Sequence, residues 1–153
     1  MDIMTAKFAA CCFCLALAFP APAVAAEALI GQIKTETGSV SVERGGAAKP
    51  LAIGDHVFEA DTIVTADGTV GITFADNSMM SLGPNSRLSL DQFHFNTTTQ
   101  NGVFNSSLKK GTLAVKSGQI VRQTPEAMHV RTPAALLGVR GTEFAVSADG
   151  QSQ

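Results

Sequence analysis

Residues 129–147 read HVRTPAALLGVRGTEFAVS, and how this stretch folds decides the architecture of the chain. Met128 and Val130 begin an alternating, strand-like run that meets Thr132-Pro133. Proline holds its own φ near −65° and biases the preceding residue toward extended geometry, so the first strand is expected to end there. Ala134 and Ala135 are small enough for a neighbouring backbone to come close. Gly138 and Gly141 can take a positive φ or sit in a bulge, which turns the chain into a second alternating run at Phe144 and Val146. Counting by twos from Gly138 puts Arg140 on the face of Phe144 and Val146, an awkward place for a permanent charge. Either Gly141 shifts the phase, or Arg140 is partly buried and donates to Glu143 and to loop carbonyls.

Outward from this stretch the same grammar repeats. Val40 and Val42 alternate with serines, Arg44-Gly45-Gly46 turns the chain, and Val70, Ile72 and Phe74 alternate with small residues. Asp67-Gly68, Asp76-Asn77 and Pro84-Asn85 punctuate the run at short, regular intervals, the spacing of an all-β domain. Asp91 to Asn101 reads as a long loop or an exposed hairpin tip. Gly111, Leu113 and Val115 belong to a further strand, and Ser117 to Arg122 has room for one helical turn before Pro125.

Val130 to Phe144, VRTPAALLGVRGTEF, resembles the closing motif of the FecR domain, the periplasmic sensor module of bacterial iron-uptake regulators. Gly54-Asp55 with Asp61 to Thr65, and Phe74 to Ser78 with Leu82 to Ser86, are similar to upstream pieces of that family in the same order. The resemblance covers about residues 33–146. Spacing alone suits a two-sheet β-sandwich; the resemblance implies instead a compact β-roll or solenoid-like stack of short strands. It implies that Thr132, Pro133, Gly138, Arg140, Gly141, Thr142 and Phe144 are structural. Arg131, Arg140 and Glu143 make up the expected partner surface.

With 153 residues the chain is sized for one domain. Met1 to Lys7, the apolar run Phe8 to Phe19, and Pro20 to Ala26 have the three-part form of a secretory signal peptide. Residues 1–25 are therefore the expected leader, cleaved near Ala25/Ala26, with one domain over 26–153. The alternative is an uncleaved N-terminal anchor in the inner membrane. Either way the domain is expected to be periplasmic or secreted. Cys11, Cys12 and Cys14 all fall in the leader, so the processed domain would have no disulfide, thiolate metal site or cysteine nucleophile.

The formal charge is −2, with no basic stripe that would suit nucleic acid. Lys109, Lys110 and Lys116 read as a solvated hairpin edge. His56, His94 and His129 lack metal-ligand spacing, and the aspartates at 55, 61, 67 and 76 read as turn residues instead of a calcium loop. There is no nucleophile elbow and no phosphate-binding loop. Trp and Tyr are absent from the sequence, so a sugar cleft would have only phenylalanine to line it.

No enzyme activity, cofactor or metal is expected. FecR-type regulators carry an anti-sigma segment and a membrane helix before this domain, and a transporter-facing domain after it. Without these, the expectation is a sensor-like module that delivers an interaction to another envelope protein. The alternative is a structural or surface module that binds envelope polysaccharide or associates with copies of itself.

Overall fold

Short alternating runs cut by glycine, aspartate and asparagine produce short strands joined by tight turns. The computed structural model describes residues 28–141 and 143–150; the expected leader over 1–25 and Thr142 lie outside them. Strands are β1 (Leu29–Thr37), β2 (Val40–Arg44), β3 (Ala47–Pro50), β4 (His56–Phe58), β5 (Thr62–Thr65), β6 (Thr69–Phe74), β7 (Met79–Leu82), β8 (Arg87–Phe95), β9 (Gly102–Lys116), β10 (Met128–Arg131), β11 (Leu136–Gly138) and β12 (Glu143–Ala148). One helical turn, α1 (Gln119–Gln123), buries Ile120 and Val121 and stops short of Pro125. The chain is all-β, as its alternation predicts.

The strands form one strongly curled sheet in the order β3-β2-β5-β8-β9-β7-β6-β1-β4; β10 and β12 also pair with β9, and β11 pairs with β10. β9 is the long member that makes this sheet continuous. Its first part, to Lys110, pairs with β8 and, in parallel, with β10. From Gly111 onward it pairs with β7 and β12. A strand shared by both halves makes a roll instead of two separate sheets facing each other.

The corner in β9 has a local cause. Gly111 has φ 93°, and a Cβ there would lie 2.1 Å from Ser86 Oγ, so no other residue fits without displacing its neighbour. The Ser86 hydroxyl accepts the Thr112 N–H at 3.0 Å, and Thr65 Oγ1 accepts the Ser86 N–H at 2.9 Å. The corner also flips the phase of the strand. Phe104 and Leu108 point inward before it, Leu113 and Val115 after it, so one strand feeds the core from both sides of the bend.

Phe74, Phe93 and Phe104 meet at the centre with centroid separations of 4.6, 5.0 and 5.9 Å, two of the three contacts edge-on. Phe93 reaches this cluster because β8 bulges between Leu90 and Gln92. The expected long loop or hairpin tip at 91–101 is therefore strand as far as Phe95, and residues 96–101 form the hairpin tip. Lys109 and Lys110 also differ from expectation. They lie within β9 beside the corner and not at a hairpin tip, yet they are solvated as expected: Lys110 pairs with Arg87 of β8 alone, and Lys109 falls at the register shift beside it, beyond the last β10 pair at Ser107.

Asp61, 0% exposed, anchors the entry to β5. It receives Arg44 Nε at 2.7 Å and Nη2 at 2.6 Å, and the Phe58 N–H at 2.9 Å, while the guanidinium lies 4.3 Å above the Phe58 ring. Both carboxylate oxygens are engaged, which is what permits an ionised group to be buried. The other aspartates act in turns, as expected. Asp55 accepts the Ala52 N–H, Asp67 the Ser39 N–H, and Asp76 the Ser78 N–H.

Candidate functional site

The closing motif contains a hairpin that simple alternation does not reveal. Thr132 to Ala135 make its turn: the Thr132 N–H donates to Ala135 O at 2.7 Å, and Thr132 Oγ1 accepts the Ala135 N–H at 3.0 Å. Pro133 occupies the turn position that suits its fixed φ. β11 then returns antiparallel to β10, with His129 opposite Gly138 and Arg131 opposite Leu136. The connection between β10 and β12 thus holds a third strand. β10 and β12 are not neighbours, because β12 pairs with the far half of β9.

Register aligns polar side chains across four strands. Gln92, Asn105 and His129 stand in one row, ending at Gly138; Ser89, Ser107 and Arg131 stand in the next, ending at Leu136. Of these, Gln92, Asn105, Ser107, His129, Arg131 and Leu136 line an open hollow of about 620 Å³ whose rim includes Glu59, Asp91 and Lys109. A second hollow of about 450 Å³ lies beyond His129, lined by Glu126, Val139 and Arg140 among others. His129 belongs to both.

Charges in the first hollow are unequally satisfied. Asp91 accepts from the Ser89 hydroxyl at 2.8 Å and from that of Ser107, and Glu59 accepts the Phe93 N–H at 2.9 Å. Asn105 donates to Gln92 at 2.9 Å. Lys109, Arg131 and Arg140 are exposed and have no ion pair among the described residues. The acids of the groove are tied to its floor, and the cations are left to the solvent.

The buried-clamp reading of Arg140 is overturned. Arg140 is exposed, and Gly141, with φ 114°, breaks the two-residue count that seemed to push it inward. Phe144 and Val146 pack partly buried against the core without it. Gly138 lies in a strand with open space where a Cβ would be, and Ala134 and Ala135 are exposed, so close backbone approach does not explain these small residues. Glu143 opens β12 opposite Lys116, on the other half of the sheet. Of the three expected surface residues, Arg131 and Arg140 flank His129 and Glu143 stands apart.

Sequence reading did not single out Lys109, Asn105 and Gln92 as groove residues. The odd-numbered polar series Asn105, Ser107, Lys109 was the available signal, but the parallel partner that turns it into a floor lies more than twenty residues on. His56 lies on β4 at the end of the strand order, and His94 lies on β8, opposite Val103, with β9 between it and β10. No helix among the described residues is long and apolar enough to cross a membrane.

A family model described as FecR protein matches residues 61–153, more than half of the chain. No curated protein and no solved structure matches it.

Proposed function

This chain belongs to the FecR protein family, and from that premise we propose that it is a non-enzymatic sensor- or signalling-type module that works in the periplasm by holding another envelope protein. The FecR domain is a regulatory sensor module. The observation that carries the reading further is the groove on β8, β9, β10 and β11. Its acids are satisfied internally, and its cations Lys109 and Arg131 are exposed without ion pairs among the described residues. Unpaired, solvated cations on a rigid sheet favour association and specificity without doing chemistry. Phe104, Met128 and Val130, all fully buried, hold the groove strands onto the core, so the surface is pre-formed.

The test is a photo-cross-linking residue at Asn105 in cells carrying the exported protein. One envelope protein attached to the groove, and its loss on Arg131→Glu, is the expected result. Retention on cell-wall glycan with no protein adduct would overturn the proposal.

A further inference from the structure

The free edge of β11 borders the groove, and its backbone polarity follows from the ladder. Val139 N–H donates to Met128 O at 3.0 Å, and Thr132 N–H donates to Ala135 O at 2.7 Å. These fix 128/139, 130/137 and 132/135 as the hydrogen-bonded pairs of the hairpin. Leu136 and Gly138 therefore turn their N–H and C=O groups away from β10, and β11 has no other strand partner among the described residues.

Natural sheets blunt such edges, and this one does so selectively. β3, the terminal strand on the far side, carries Lys49 and Pro50. β12 also has a free edge, but its exposed residues Glu143, Ala145 and Ser147 bring no cation. β11 reads Leu136-Leu137-Gly138, with Leu136 60% exposed and open space above Gly138. Arg131 stands opposite Leu136, His129 opposite Gly138, and Arg140 lies two residues past the end of β11.

Resting on the protein-binding reading above, we infer that β11 takes an extended, acidic segment of the partner protein as an added strand. The outward N–H and C=O groups of Leu136 and Gly138 bond to its backbone. An apolar side chain on the incoming strand covers Leu136. A carboxylate opposite Gly138 passes over the missing side chain toward His129 and Arg131, while Glu126 on the rim of the second hollow sets a limit on acid placed farther along. A glycan suits the site less well. No Trp or Tyr exists in the sequence to stack on a sugar ring, and backbone edge groups spaced for a strand match a peptide.

The purified protein would be titrated with a labelled peptide alternating Glu and Val, with its counterpart alternating Lys and Val, and with polygalacturonate. Binding of the Glu peptide alone is expected, with slowed hydrogen exchange at the Leu136 and Gly138 amides. Gly138→Pro removes one outward donor, while the β10 ladder, which does not use that N–H, stays intact. This variant and Arg131→Glu should each weaken binding about tenfold with the melting temperature unchanged. Failure of the Glu peptide to bind, equal binding of the Lys peptide, retention of polygalacturonate, or indifference to Gly138→Pro would each overturn the inference. If one of these occurs while the Asn105 cross-link to a protein persists, the edge assignment falls and the function stands; if the cross-link is also lost, both fall.

Discussion

Arg44 and Arg131 are the same side chain in opposite surroundings. Arg44 spends Nε and Nη2 on Asp61, adds the His56 carbonyl at 3.4 Å, and lies on the Phe58 ring, leaving its side chain 28% exposed. Arg131 stands exposed at the end of β10 over a hollow whose acids are engaged elsewhere. The first region is closed electrostatically, and its charge serves the fold. In the second the charge has no ion pair among the described residues. Presence of an arginine therefore decides little; the state of the nearest carboxylate tells whether it holds structure together or faces outward.

That contrast can be broken most forcefully at Arg44. Arg44→Ala leaves Asp61 fully buried with one N–H for company and should cost about 3–5 kcal/mol by chemical denaturation; a loss under about 1 kcal/mol would mean the pair is not structural. Gly141→Ala probes the joint that frees Arg140 from the core, and should cost about 1–2 kcal/mol because φ is 114° there. The exposed pair should behave differently. Arg131→Ala and Arg140→Ala are expected to change stability by less than about 0.5 kcal/mol while weakening partner cross-linking, and a large drop in melting temperature for either would make it a structural residue after all.

The smallest effect concerns Asp67, whose carboxyl is held below the usual aspartate range by the Ser39 N–H. Because the folded pKa is depressed, its contribution is present above the unfolded value and is lost as pH falls through the folded one. Asp67→Asn keeps the acceptor but not the charge, so it should flatten the acid end of the stability profile slightly. Parallel profiles for both proteins would refute the assignment.

Much of this fold is legible in the residues because its signals are local. Gly45 and Gly46 both take positive φ in the turn their pairing predicts, Pro125 limits the helix, and Val70, Ile72 and Phe74 alternate inward. What escaped reading depends on partners far away in sequence or on a change of phase. The Gly111 corner resembles any glycine in a strand until Ser86 is seen against it. Phe93 looks like loop until the bulge in β8 turns it inward. The groove is less legible still, since its floor needs the parallel pairing of β9 with β10, and alternation within either strand says nothing about which neighbour it meets.

The long bent strand has a mechanical consequence. Because β9 is hydrogen-bonded to four others and crosses from one half of the roll to the other, a tug applied at the groove runs along a single covalent span into the opposite wall. Such a frame resists peeling from either end and gives way as one unit.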